Sequence, residues 1–249
     1  MSAGTSFQDH FSERSDLYAE HRPRYPDELF DWLAGISEPR VRAWDCATGN
    51  GQVAVSLADR FDDVVATDAS RQQIAAAIPH PGVTYSVAPA EASGLDDASC
   101  NLITVGQALH WFDQAAFARE AVRVAAPNAA VAAWCYELCS VSADCDAIVE
   151  GLYEGILSGF WPEERRYIEE GYRGVELPGL AIAAPGFEMS AEWLVDDMLG
   201  YLRTWSACKR YEAEYGEDPV AKIAMLLTEA WGRDARRVRW PLTIRACRL

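Results

Sequence analysis

Acids and glycines alternate at one place in this chain in a way that can do chemistry. Asp45 closes an apolar run and leads into Cys46-Ala-Thr-Gly-Asn-Gly51, so that Gly49-x-Gly51-x-x-Ala54 opens the next segment. Two glycines let a backbone come close to a ligand, and the amide N–H groups of a helix beginning there would face it. Asp68 ends the following apolar run, where an acid can hydrogen-bond a ribose hydroxyl. Those properties suit any nucleoside-containing cofactor. Asp45 divides the options, because its charge repels a pyrophosphate and attracts an ammonium group. Farther along, Gln107-Ala-Leu-His-Trp-Phe112 supplies His110, a candidate general base or pocket wall at the exit of a strand. His10, His21 and His80 read as surface or capping residues.

The elements that must position these residues follow from periodicity and punctuation. A helix over 27–34 places Leu29, Trp32 and Leu33 on one face, with acids in its first turn and Gly35 beyond. A strand over 41–45, the glycine turn 46–51 and a helix over 52–60 come next. A strand over 64–68 is followed by a helix to about residue 78, capped by Ser70. Strands over 83–88 and 101–106, a helix over 114–126 and a strand over 129–136 continue the alternation. Five strands with intervening helices imply a parallel sheet covered on both faces. From 143 to 176 the chain reads as helices rich in Tyr153, Phe160, Trp161, Tyr167 and Tyr172. A helical segment there would lie over the C-terminal ends of the strands as a lid. A strand over 187–190, helices over 196–208 and 219–231, and a terminal strand over 238–249 complete the pattern.

Composition excludes several classes. Hydrophobic residues make up 50% and charged residues 24% of 249, a globular balance. The 38 acidic and 22 basic residues leave a formal net charge of −16, a field that repels phosphate backbones and anionic membranes. Neither nucleic acid nor membrane is expected as a partner. Arg233, Arg236, Arg237 and Arg239 read as a solvated helix end. No basic start precedes an apolar run and no stretch is long enough to span a bilayer, so a cytoplasmic location is expected. Cys46, Cys100, Cys135, Cys139, Cys145, Cys208 and Cys247 include no CxxC pair. They read as reduced, half-buried apolar residues, and no metal site is expected.

The choice at Asp45 favours S-adenosylmethionine over NAD. The sequence also resembles the class I S-adenosylmethionine-dependent methyltransferases, in the small-molecule branch that includes trans-aconitate methyltransferase-like proteins. Asp45-Cys-Ala-Thr-Gly-Asn-Gly51 is similar to the first motif of that family, Val64-Val-Ala-Thr-Asp68 to the second with its ribose-binding acid, and Ala90-Glu91 to the adenine-side motif. Gln107-Ala-Leu-His-Trp-Phe112, the N-terminal Tyr18-Ala-Glu-His-Arg-Pro-Arg-Tyr-Pro26, Tyr201-Leu-Arg-Thr-Trp-Ser206 and Arg239-Trp-Pro-Leu242 also resemble family stretches. The resemblance implies an α/β, Rossmann-like doubly wound, mostly parallel seven-stranded sheet with a helical lid inserted after the fifth strand. Residues 1–40 would form an N-terminal helical cap, 41–140 the cofactor-binding core, 141–185 the lid, and 186–249 the completion of the sheet. The implied cofactor residues are Tyr18, Arg22, Asp45, Ala47, Gly49, Gly51, Asp68, Ala69, Ala90, Glu91, Gln107, His110 and Trp111.

The sequence departs from the family in three places. Ala47 stands where a glycine is common, which a negative φ would tolerate. Pro89 stands where many relatives carry an acid for the adenine amino group, and Asn128-Ala129 replaces a Gly-Gly. The implied reaction is methyl transfer to a small molecule by in-line displacement, with catalysis by positioning and desolvation. Arg22, with Tyr18 and Tyr25, is expected to clamp the cofactor's carboxylate. Arg203 with Trp205, or Arg165, Arg166 and Tyr172, are candidate contacts to an anionic acceptor. Two alternatives use the same residues: an NAD-dependent oxidoreductase, and a protein that binds S-adenosylmethionine without turnover. Protein methylation also stays open.

Overall fold

Strands covered by helices on both faces bury every side chain, and the long apolar runs of this sequence do so. The computed structural model describes residues 23–249. Its first half comprises α1 (Asp27–Gly35), β1 (Arg42–Cys46), α2 (Gln52–Ala58), β2 (Asp63–Asp68), α3 (Arg71–Ala75), β3 (Val83–Val87) and β4 (Cys100–Gly106), then a 3₁₀ turn (Leu109–Trp111), α4 (Gln114–Val124) and β5 (Ala125–Tyr136). After β5 come α5 (Ala143–Glu150), a π-helical turn (Gly151–Ile156), α6 (Arg165–Glu169), β6 (Leu180–Ile182), β7 (Phe187–Trp193), α7 (Val195–Arg203), α8 (Ser206–Tyr215), α9 (Ala221–Trp231) and β8 (Arg236–Arg248).

The strand order is β3-β2-β1-β4-β5-β8-β6, and β7 also pairs with β8. Strands β1 to β5 are mutually parallel, whereas β8 runs antiparallel to β5, β6 and β7. The sheet therefore has eight strands where seven were expected. Strand β6 occupies the Ala246 to Arg248 end of β8 and β7 its Arg236 to Leu242 part, so eight strands fill seven positions across the sheet. Strand β6 falls inside the stretch expected as lid, and three residues are too few to show an alternation.

Other boundaries moved for local reasons. The helix expected over 196–208 is two helices, because Thr204 turns its hydroxyl onto the Tyr201 carbonyl (2.6 Å) and Trp205 is extended (φ −64°, ψ 137°). Strand β5 begins at Ala125 and carries Pro127 through a bulge opposite Cys100 and Leu102. Asn128 takes φ 64° there, a conformation its short amide tolerates. Arg236, Arg237 and Arg239 lie on β8, not at a helix end. Arg236 and Arg237 donate to Ser142 and Ser190, and Arg239 faces Glu188 at 3.6 Å.

Side chains alternate between two cores. Ala43, Leu102, Ala130, Ala132 and Trp134 join one core, while Trp44, Ile103, Val131, Ala133 and Cys135 join the other. Helices α1, α2, α7 and α9 cover the first face, and α4 covers the second. The insertion after β5 contributes Cys145, Val149 and Leu152 to the first core but Ile168, Tyr172 and Val175 to the second. It therefore passes around the strand ends from one face to the other. All seven cysteines are free and buried, deeper than the half-burial expected. Among the described residues no helix is long and apolar enough to cross a membrane.

One buried acid holds the connection between β3 and β4 in place. Glu120 of α4 accepts from the Ser93 amide (2.8 Å) and hydroxyl (2.5 Å) and pairs with Arg123 (2.7 Å). The Arg123 hydrogen bond, followed by the Ser93 bonds, outweighs burial and holds its pKa down at about 2. A lowered carboxylate pKa stabilises the fold above the unfolded pKa, and that contribution is lost as pH falls toward the folded one. Glu120→Gln is expected to cost about 1–3 kcal/mol in urea unfolding near neutrality. The deficit should shrink as pH falls from about 4.5 toward 2; a deficit unchanged with pH would show that the charge contributes nothing.

Candidate functional site

The chain winds outward from β1 to β2 and β3, then returns to β4 on the other side of β1. In open α/β sheets, ligands bind where the order reverses, outside the strands' C-terminal ends. A cleft of about 1340 Å³ opens there. Asp45, Ala47, Gly49, Asp68, Ala69, Ala90, Glu91, Gln107, His110 and Trp111 all line it, brought together from four strand ends and the loops after them. Gly51 does not line it. A Cβ at Gly51 would overlap the Tyr85 hydroxyl, and φ is +85°, so packing beneath the turn and backbone geometry require this glycine. Tyr18 and Arg22 lie outside the described residues. Tyr25 lies against Trp134, ring centroids 5.5 Å apart, and lines the cleft.

Asp45 is 1% exposed. Thr48 donates to one carboxylate oxygen (2.5 Å) and Thr104, from β4, to the other (2.9 Å). Among the described residues no cation pairs with it. Burial, partly opposed by the two hydroxyls, pushes its pKa up to about 7, and nearby Asp68 adds to the rise. Asp68 accepts from the Gly49 amide (2.9 Å) and the Ser70 amide (2.8 Å), which fixes its carboxylate at the cleft edge. A carboxylate has about four lone-pair sites, which suits an acid at the cleft edge to hold a diol.

The negative φ that would make Ala47 an easy replacement for glycine is not met: its φ is 56°. An alanine there costs of order 1 kcal/mol, held in place as the neighbouring Thr48 amide donates to the Thr67 carbonyl (2.9 Å). Gln107, at φ 55°, is also left-handed. Its side-chain amide bonds both backbone groups of Tyr136 (2.9 and 3.2 Å), tying the end of β4 to the end of β5. The Glu91 carboxylate accepts from the Asp113 amide (3.1 Å), joining the loop after β3 to the turn after β4.

His110 is 6% exposed, and its Nδ1 lies 2.9 Å from the Tyr172 hydroxyl. The backbone amides of His110 and Leu109 bear on the same hydroxyl oxygen. With its oxygen so occupied, Tyr172 donates its proton to Nδ1, which places the imidazole proton on Nε2. Burial, with the nearby Arg165 charge, lowers the His110 pKa to about 3. At neutral pH His110 is thus a neutral N–H donor, which argues against the base role considered for it.

Sequence reasoning missed Thr48 and Thr104, and it named Tyr172 as a candidate acceptor contact where the structure makes it the partner of His110. A threonine after an acid carries no pattern of its own, and Tyr172 reaches His110 across 62 residues. Gly171 and Tyr172 both take positive φ in that segment. Arg203 is paired with Asp218 (2.8 Å), away from the cleft.

A doubly wound sheet with acids closing its first two strands and a left-handed glycine turn between them defines a Rossmann-like domain for a nucleoside cofactor without a pyrophosphate. The profile of the family described as "Methyltransferase domain" matches residues 44–133. A candidate methyltransferase of Dictyostelium discoideum is 31% identical over 231 residues, covering 91% of this chain and 88% of that protein. The solved structure of a candidate type II methyltransferase from Anaeromyxobacter dehalogenans is 45% identical, with TM-score 0.85, covering 91% of this chain and 97% of that one. A candidate methyltransferase from an antibiotic biosynthesis pathway of Anabaena variabilis, 17% identical with TM-score 0.53 over 87% of this chain and 98% of that one, shares the fold. The chain belongs to the S-adenosylmethionine-dependent methyltransferases, and S-adenosylmethionine is its cofactor. An uncompensated buried acid and a wide cleft fit a cationic nucleoside; they do not fit a dinucleotide diphosphate.

An acid whose folded pKa is raised loses stability as pH climbs from its unfolded to its folded value. Between pH about 4 and about 7 the free protein is expected to lose about 1–4 kcal/mol relative to Asp45→Asn, read by urea unfolding at the two ends of that range. A difference constant across the range would mean an ordinary pKa for Asp45.

Proposed function

We propose that this enzyme methylates a small molecule, with residues 41–140 holding the cofactor and part of the 141–185 stretch roofing the cleft. One observation carries the acceptor class. Pro162, Glu163 and Tyr167 line the cleft with the strand-end residues, and a chamber of about 80 Å³ adjoins it at His110. That space admits part of a small molecule and excludes a folded macromolecular segment. The formal charge of −16 points the same way, against nucleic acid.

In this reading Asp68 accepts from the ribose hydroxyls, and Asp45 faces the ammonium of the cofactor's methionine part. The backbone at Ala47 and Gly49 allows close approach, Ala69, Ala90 and Glu91 border the nucleoside, and Gln107, His110 and Trp111 wall the reacting end. Bound S-adenosylmethionine supplies a sulfonium-activated methyl group open to in-line displacement. The chain's own residues exclude water and hold the acceptor in line, which for such a reaction is most of the catalysis. A cytoplasmic location belongs to the same reading, supported by seven unpaired, buried cysteines.

Isothermal titration tests this reading. S-adenosylhomocysteine is expected to bind in the micromolar range, NAD not at all, and Asp68→Ala to weaken the former by about tenfold or more. Equal binding to the variant would remove Asp68 from the site, and tight binding of NAD alone would overturn the reading.

A further inference from the structure

Next to the cleft, and sharing His110, Trp111 and Tyr136 with it, lies a chamber lined by the aromatic side chains of Trp161, Tyr201 and Trp205 as well. Arg165 lines it too. Its Nε donates to the Tyr153 hydroxyl (2.9 Å), and its guanidinium lies over the rings of Trp161 (4.8 Å) and Tyr153 (5.2 Å). Tyr153 is itself fixed by donating to Glu169 (2.5 Å). Stacking of this kind immobilises a guanidinium and leaves its outer edge free to bond.

Arg42, Arg60, Arg123 and Arg203 each have a carboxylate within ion-pair distance. Among the described residues Arg165 has none, and its two terminal nitrogens have no hydrogen-bond partner. A partly buried, preoriented, unpaired guanidinium is costly to keep unless something anionic completes it. The second polar group at the same place is His110, whose Nδ1 is held by Tyr172 so that Nε2 carries a proton. Among the described residues the buried side-chain nitrogens without partners are the indoles of Trp134 and Trp231, so Nε2 of His110 keeps access to the cavity it lines. One charged fork and one neutral N–H thus line the same chamber as the aromatic side chains. Glu137 also lines this chamber, is exposed, and makes no ion pair with Arg165.

We propose that the chamber is the acceptor subsite, and that it takes the carboxylate end of a small planar molecule, held by Arg165 and His110. The proposal rests on the methyltransferase reading of the adjoining cleft. A carboxylate gripped by the fork has its lone pairs engaged, so it serves as a handle, and the atom that accepts the methyl group lies elsewhere in the molecule, on the side of His110 facing the cofactor cleft.

The test is calorimetric titration of the protein saturated with S-adenosylhomocysteine, using phenylacetate, its neutral analogue phenylacetamide and the cationic phenethylamine. Phenylacetate is expected to bind saturably and at least about tenfold more tightly than either analogue. Arg165→Met keeps the stem and its stacking; it should lose about tenfold or more in phenylacetate affinity while S-adenosylhomocysteine affinity stays within about twofold. Glu137→Gln, which removes a like charge, should tighten phenylacetate binding. Equal phenylacetate affinity in wild type and Arg165→Met overturns the proposal, as does preference for phenethylamine or absence of binding by all three probes. Failure of S-adenosylhomocysteine to bind the wild type is a separate result: it overturns the cofactor reading of the neighbouring cleft and the acceptor subsite with it.

Discussion

The carboxylate of Asp45 sits at the end of the central strand, out of water, with two threonine hydroxyls for partners and Asp68 close enough to repel it. Burying an acid this way is costly, and hydroxyls offset only part of the cost. Most features around the strand ends follow from what would complete it. Thr104 comes from β4, across the line where the strand order reverses. Thr48 comes from a turn wound through left-handed residues, Ala47, Gly49 and Gly51, whose Gly49 amide holds Asp68. The cationic end of S-adenosylmethionine supplies the missing charge, and a pyrophosphate would worsen the imbalance.

The second theme is strain gathered at one place. Among the described residues five non-glycine positions have positive φ, and Ala47, Gln107 and Tyr172 either line the cleft or bond a residue that does. Each is held by bonds to something rigid: Ala47 next to a Thr48 amide bonded to β2, Gln107 through its amide on β5, Tyr172 through His110. Such conformations persist where the surrounding fold over-determines them, and they fix the backbone around a ligand more sharply than an ordinary loop does. The insertion after β5 contributes to the same end, since its two ends belong to opposite cores and Pro162, Glu163 and Tyr167 near its middle line the cleft.

Much of this was legible in the sequence. The alternation of apolar runs with amphipathic stretches named the parallel strands, and the acid that closes each of the first two strands marked the ligand end. Single glycines were less informative than their pattern: Gly51 matches the fingerprint yet serves Tyr85, and Ala47 breaks the fingerprint yet adopts the glycine-like conformation. What stayed hidden was tertiary. Tyr172 fixing His110 and Thr104 reaching Asp45 join residues with no periodic relation. Strand β6 is too short to carry a pattern, and its place is set by the partner strand β8.

The most direct measurement is the number of protons released when S-adenosylhomocysteine binds at pH about 7, obtained by calorimetry in buffers of differing ionisation enthalpy. If the cofactor's ammonium ionises a half-protonated Asp45, about half a proton leaves per molecule bound, and Asp45→Asn releases none. Release of no proton by the wild-type protein, or the same release by Asp45→Asn, would contradict the account.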